Sequence, residues 1–312
     1  MKCKIRNKLL RRKYLDNDRF ETIEAARKGK RKVHPILAVI LTILFLSLSE
    51  VFSLFMLLLP KAETTFMKSI YDNLRMLLTF GGAILFVFLW VRFIEKRLFS
   101  TIGFWKDNAL KKYLRGAFIG LIFITIPVFI LVLSGFVTLH IQQISSTVIL
   151  GILGSLIAFL VQGAAEEIVV RGWLFPVISV RSRIWIGVVV TSFLFGLLHL
   201  LNTGITILSM SNIILVGVFA AFYVLKENSL WGICAWHSIW NWAQYNIYGF
   251  AVSGITIYST PLFKSTTSGP ESLHGGAFGI EGSVITTIMF AVASIVLWRQ
   301  MWGRRSKQYN IG

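Results

Sequence analysis

Long apolar runs alternate with short polar segments along most of the chain. A helix needs about 20 apolar residues to cross the hydrocarbon core of a bilayer. Eight runs have about that length: Ile36–Pro60, Met76–Phe93, Ala117–Leu139, Val148–Phe175, Ile184–Leu201, Ile205–Leu225, Leu230–Gly249 and Val284–Trp302. The pattern predicts an all-α fold, a polytopic membrane protein with about eight transmembrane helices.

Composition supports this prediction. The chain is 55% hydrophobic and 15% charged, whereas a soluble domain is about 45–50% apolar and about 25% charged. The formal net charge of +18 comes largely from short connections and from residues 1–33, which carry thirteen Lys/Arg against four Asp/Glu. Basic residues at the edges of apolar runs indicate membrane topology and contact with anionic lipid, so no nucleic-acid partner is expected.

The distribution of Lys and Arg predicts the orientation in a cell membrane. The basic N-terminal region, Glu95–Arg115, Arg181 with Arg183, Lys226 and the C-terminal end all fall on one side of an eight-span chain. The loop with Lys61, Lys68 and Arg75 is the exception. Because cytoplasmic loops carry the excess of Lys and Arg, both termini are predicted to be cytoplasmic.

The fourth apolar run contains charges that a lipid-facing helix excludes. Glu166, Glu167 and Arg171 stand within six positions of GAAEEIVVRGW. A charge at the bilayer centre costs about 2.5–3.5 kcal/mol on insertion scales. Glu167 and Arg171 are four residues apart and are expected to pair on one helix face. Glu166 points about 100° away and has no cation nearby in sequence, which makes it a candidate base or metal ligand.

Two further apolar runs carry polar groups at similar depth. His199 follows FGLL in the fifth run, and His237 and Asn241 share a face of the seventh. Unsatisfied polar groups have no water to contact inside a bilayer, so these side chains are expected to converge. A Glu and a His can together deprotonate a water, whereas two His and a Glu can bind a divalent metal such as zinc. No Ser or Cys stands beside them in a recognisable nucleophile context.

Three motifs in this order resemble a known family. EEIVVR is similar to EExxxR, FGLLH to FxxxH and HSIWN to HxxxN of the CAAX protease and bacteriocin-processing family, also called CPBP or Abi. The resemblance implies an intramembrane endopeptidase, often named a metalloprotease, with a catalytic bundle of four helices. Its substrate would be a membrane-associated, CAAX-like or other peptide.

The resemblance also implies a role for each motif residue. Glu166 would be the general base on water, aided by His199, while Glu167 and Arg171 would support the site. His237 and Asn241 would stabilise the oxyanion. A metal, if present, would bind Glu166, His199 and His237.

Other functions are left open by the residues. The family includes non-catalytic scaffolds that bind other membrane proteins, and the polar groups could also serve only to hold helices together. An ion pathway is a weaker alternative, because no matching pair of broken helices supports it. Glu50, deep in the first run, has no motif counterpart. The active site is expected to open toward the cytoplasm.

The chain is predicted to divide into five segments. They are a basic cytoplasmic tail (1–33), N-terminal transmembrane helices with an interfacial amphipathic helix around IGFWKDNALKKYLRG (34–145), the catalytic core (146–250), an extracytoplasmic loop (251–283), and a last transmembrane helix with a basic tail (284–312). The oligomeric state has no signal in the sequence.

Overall fold

The computed structural model describes residues 20–257 and 259–302. Eleven helices occur in that part of the chain. They are α1 (Glu21–Lys28), α2 (Pro35–Ser49), α3 (Thr65–Leu89), α4 (Ala109–Leu133), α5 (Ser146–Glu167), α6 (Phe175–Arg181), α7 (Ile184–Leu197), α8 (Ile207–Glu227), α9 (Trp231–Trp242), α10 (Glu271–His274) and α11 (Val284–Trp302).

Turns of 3₁₀- and π-helix also occur, and several of them continue one of these helices. Turns of 3₁₀ type cover Glu50–Leu58, Phe99–Ile102, Gly276–Phe278 and Ile280–Gly282, and π-helical turns cover Trp90–Ile94, Ile168–Leu174 and Ala243–Ile247. Two strands, β1 (Val137–Ile141) and β2 (Phe263–Thr267), pair in antiparallel register. The all-α prediction is confirmed, since this two-stranded sheet is the only one in the described ranges.

Polar side chains at the helix starts explain several boundaries. Thr64 accepts a hydrogen bond from the backbone N–H of Met67, and Ser145 accepts one from Val148. Thr206 and Ser209 form a reciprocal capping box at the start of α8. Each cap satisfies an N–H group that the helix itself leaves without a partner, which matters most where water is scarce.

Six of the described helices are long and apolar enough to cross a membrane, and α7 is a shorter apolar helix. The protein is therefore a multi-pass membrane protein. Helix α9 covers 12 residues, and its π-helical continuation adds 5, which together is near the lower limit of a spanning helix. The count of eight spans stays a prediction.

The interfacial helix predicted around IGFWKDNALKKYLRG does not form as a separate element. Residues Phe99–Ile102 make one 3₁₀ turn, and ALKKYLRG is the first part of the long helix α4. Helix α4 begins after Asn108, whose backbone is left-handed. The helix continues without a break past Arg115, which forms an ion pair with Glu227 at the end of α8.

Part of the predicted N-terminal tail is folded against the bundle. Helix α1 buries Thr22, Ile23 and Ala26, and Ile23 packs in an apolar cluster with Ala221 and Leu225 of α8. Residues 21–28 are therefore a packed amphipathic helix rather than a solvated tail. Residues 1–19 and 303–312, which carry the rest of the two basic tails, lie outside the described part of the chain.

Small residues bring α9 close to two neighbouring helices. A Cβ on Gly120 of α4 would overlap the backbone of Trp236, and a Cβ on Gly163 of α5 would meet Ser238. Because glycine has no side chain, helix axes can approach more closely here. Helix α9 is therefore held between α4 and α5, and this close packing fixes where His237 lies relative to Glu166.

Candidate active site

A cavity of about 110 Å³ lies where α3, α5, α7, α8 and α9 meet segment 251–283. It is large enough for several waters, since a single water needs about 10–15 Å³ by this measure. Four of the predicted site residues line it: Glu166, His199, His237 and Asn241. The remaining two, Glu167 and Arg171, lie directly behind His237. The six predicted residues are thus brought together.

Glu167, Arg171 and His237 form a buried ion-pair network. The Nη1 atom of Arg171 lies 3.2 Å from Oε1 of Glu167, and their side chains are 0% and 1% exposed. The same oxygen is 2.8 Å from Nδ1 of His237. A carboxylate oxygen can only accept, so Nδ1 carries the hydrogen and the ring directs Nε2 away from Glu167. The Arg171 guanidinium also lies 4.3 Å from the centre of the Phe195 ring.

Glu166 faces the cavity and is 16% exposed in its side chain. Its Oε1 accepts a hydrogen bond of 2.5 Å from Nε2 of Gln162. Its Oε2 lies 3.7 Å from Nε2 of His237 and has no hydrogen-bond partner among the described residues. Both atoms can therefore contact the same small molecule in the cavity. A Glu166 that faced away from His237 would have excluded a shared site.

His199 lies just beyond the end of α7, in the turn that leads to α8. Its Nδ1 is 2.8 Å from the carbonyl oxygen of Phe195, one helical turn earlier. Because a carbonyl only accepts, Nδ1 is the protonated nitrogen and Nε2 is the one left for contacts in the cavity. The Phe195 ring packs beside both imidazoles, with ring centres 4.8 Å from His199 and 6.2 Å from His237.

Gln162 is a site residue that the sequence analysis missed. Its amide connects two motif residues, since Nε2 donates to Glu166 and Oε1 accepts a 3.0 Å hydrogen bond from Nδ2 of Asn241. It stands four residues before Glu166 on α5, so a search for polar residues on the same helix face could have found it. Gln162 orients both groups.

Segment 251–283 supplies a second polar wall, which was also missed. Ser253 and Glu281 line the same cavity as the motif residues, together with Asn202 from the turn after α7. The Nδ2 of Asn202 donates to the carbonyl oxygen of Ser253 at 2.8 Å. No helical period relates these residues to the motifs, so sequence patterns contain no signal for the contact.

Glu50 is not part of this site. Its side chain is 56% exposed, its Oε2 lies 3.5 Å from Oγ1 of Thr79 and 4.0 Å from Nη2 of Arg75, and it does not line the cavity. The structure therefore provides no support for a catalytic role of Glu50.

The predicted metal ligands have suitable chemistry but not a suitable arrangement. Both imidazoles direct Nδ1 to an oxygen acceptor, which is how metal-binding histidines are usually oriented. Within the described ranges, however, no three or more His, Cys, Asp or Glu side chains form a group that could hold a metal ion. As arranged, Glu166, His199 and His237 do not form such a group, and a metal at this site stays a prediction.

The cavity lies at one end of the bundle. It adjoins Asn202 and segment 251–283, whereas Arg181 and Lys226 stand at the opposite ends of their helices. The charge asymmetry predicts that Arg181 and Lys226 face the cytoplasm. The orientation itself stays a prediction. An opening of the site toward the cytoplasm also stays a prediction.

The part of the chain that contains the three motifs matches one family model. No curated protein and no solved structure matches the chain significantly. Residues 147–243 match the family model described as type II CAAX prenyl endopeptidase Rce1-like. The matched range begins in α5 and ends after α9, so it contains the three motifs and excludes segment 251–283. The match supports an endopeptidase that acts in a membrane. Over residues 147–243, the chain is similar to the Rce1-like type II CAAX prenyl endopeptidases.

Proposed function

We propose that the protein is an intramembrane endopeptidase that hydrolyses a peptide bond with a water activated by Glu166 and His199. One observation supports this proposal most directly: the unpartnered Oε2 of Glu166 lies 3.7 Å from Nε2 of His237, in the cavity that His199 also lines. A carboxylate and an imidazole that line the same cavity can position a water and accept its proton.

The proposed reaction consumes one water. Its oxygen attacks the carbonyl carbon of the peptide while Glu166 accepts a proton from it, and Nε2 of His199 orients the water. Nδ2 of Asn241, and Nε2 of His237 when both of its ring nitrogens are protonated, donate hydrogen bonds to the carbonyl oxygen as negative charge develops on it. The C–N bond then breaks, and Glu166 transfers the proton to the leaving nitrogen. The products are a carboxylic acid and an amine.

The surrounding residues hold this geometry. Glu167 and Arg171 fix the ring of His237, and Gln162 fixes the carboxylate of Glu166. Substrate is proposed to be a membrane-associated peptide or membrane protein, with prenylated CAAX peptides as the first class to test because the family description names them. Bacteriocin-type peptides are a second class that the family resemblance suggests.

Peptide and membrane proteomics of cells tests this function. A deletion strain and a Glu166→Gln strain are compared with the wild type, and uncleaved forms of the same substrates are expected to accumulate in both. A non-catalytic scaffold makes the opposite prediction, because Glu166→Gln would still bind its partner and restore the wild-type profile. Restoration by Glu166→Gln would therefore contradict the proposed hydrolysis.

A divalent metal such as zinc is a separate prediction. If Glu166, His199 and His237 rearrange to bind zinc, purified protein should contain about one metal per chain, and a chelator should lower both the metal content and the melting temperature. The control is a His199→Ala variant, which should contain less metal. Wild-type protein without stoichiometric metal that still cleaves peptide would exclude the metal-dependent form.

A further inference from the structure

Glu281 is a second buried carboxylate at the cavity. It lies in the 3₁₀ turn Ile280–Gly282, just before α11, and is 5% exposed. Its Oε2 accepts hydrogen bonds from the backbone N–H of Ser253 at 2.6 Å and from the Ser253 hydroxyl at 2.8 Å. Its Oε1 accepts one from Nε1 of Trp240 at 3.2 Å. The carboxylate is thus held rigidly in the cavity wall.

No cation balances this carboxylate within the described ranges. The three donors to Glu281 are neutral, and no described Lys, Arg or His lies within 4.0 Å of its oxygens. The cavity lining contains two glutamates, Glu166 and Glu281, and no lysine or arginine. Arg171 is engaged behind the wall with Glu167. A buried charge without an oppositely charged partner is costly, so Glu281 would stabilise a cation that enters the cavity.

The walls beside Glu281 suit the apolar part of a long basic side chain. Trp240 and Trp236 stack with ring centres 5.7 Å apart, and both line the cavity. Phe159 lines the cavity as well. Lysine and arginine place their methylene groups on apolar surface while the charged group reaches a polar partner, and aromatic faces attract cations.

From this arrangement we infer that Glu281 forms a subsite for a basic side chain of the substrate. The peptide bound for hydrolysis carries a lysine or arginine whose charged group reaches Glu281 while the cleaved bond lies at Glu166. This inference rests on the proposed function, which supplies both the peptide ligand and the position of the cleaved bond at Glu166.

Peptide binding tests the subsite without requiring cleavage. The probes are two fluorescent peptides of sequence Leu-X-Leu with an amidated C-terminus, where X is lysine in one and norleucine in the other. Anisotropy is measured with the full-length protein in nanodiscs. The wild type is expected to bind the lysine peptide about tenfold more tightly, the size expected for one charge-assisted hydrogen bond.

Variants of the two cavity glutamates show which carboxylate causes the preference for the lysine peptide. The lysine preference should persist in Glu166→Gln and in the control Glu271→Gln, which removes an exposed glutamate of the same segment. It should fall to near unity in Glu281→Gln. Should Glu281→Gln not fold, persistence in Glu166→Gln still supports the subsite, because the lining contains only these two acids.

Three outcomes overturn the inference. They are equal binding of both peptides by the wild type, an unchanged preference in Glu281→Gln, and a preference lost in Glu166→Gln. A cleavage assay with the same pair separates this inference from the proposed function. If the wild type prefers the lysine peptide but cleaves neither peptide, the subsite is supported and the peptidase activity is contradicted. If it cleaves the peptides but binds both equally well, the peptidase activity is supported and the subsite is contradicted.

Discussion

Replacing Glu166 by glutamine is expected to lower kcat/KM for peptide cleavage by about 10²- to 10⁴-fold, the usual contribution of a general base. Glutamine has nearly the same shape, and its carbonyl oxygen can still accept the hydrogen bond from Gln162, but it cannot take a proton from water. The measurement is cleavage of a prenylated CAAX peptide by purified protein in liposomes, with products quantified by mass spectrometry.

The matched control for this variant is Glu50→Gln. It removes one carboxylate from another membrane helix, at a half-exposed position outside the cavity. Its kcat/KM should stay within about twofold of wild type, since surface changes away from buried networks have small effects. Both variants should keep the wild-type melting temperature to within a few degrees. Equal cleavage by wild type and Glu166→Gln would rule out Glu166 as the base.

The Arg171→Met variant is expected to lose about 3–5 kcal/mol of unfolding free energy, the usual cost of removing one partner of a buried ion pair. Arg171 is fully buried, and its removal leaves Glu167 with His237 as its remaining partner. Methionine retains much of the apolar stem, so the loss reports the uncompensated charge more than a cavity. Denaturation of purified protein in mixed micelles measures this loss of unfolding free energy.

Arg183→Met is the control for Arg171→Met, because Arg183 is exposed at the start of α7. The unfolding free energy of Arg183→Met should differ from that of the wild type by no more than about 0.5 kcal/mol. A Glu167→Gln/Arg171→Met double variant should recover much of the lost stability, since it removes both charges together. If Arg171→Met is as stable as Arg183→Met, the buried pair does not stabilise the bundle as described.

Local sequence signals predicted the parts of the site that lie on single helices. Glu167 and Arg171 are four residues apart, so helical geometry alone brings them together. His199 and His237 were predicted to converge with Glu166 because a bilayer offers no other partners, and they line one cavity with it. Glu50 was equally deep in an apolar run, yet it lies outside the cavity, because depth alone does not determine which way a helix face points.

Contacts between distant segments were harder to predict. Residues of IGFWKDNALKKYLRG have an amphipathic pattern that favours an interfacial helix, but Arg115 pairs with Glu227, more than a hundred residues away, and the segment continues into α4. Helix α1 has a comparable pattern and packs against the bundle through Ile23. The same local pattern is compatible with a lipid surface or a protein surface, and only tertiary packing distinguishes them.

The sequence by itself determined that this is an all-α multi-pass membrane protein with acids and imidazoles buried in its helices, because hydropathy and helical spacing are local properties of the chain. Only the tertiary structure decided that Gln162 joins Glu166 to Asn241, and that Ser253 and Glu281 complete the cavity wall. These contacts depend on how closely α9 packs against α4 and α5 and on how segment 251–283 folds back, and such long-range packing has no sequence period that reveals it.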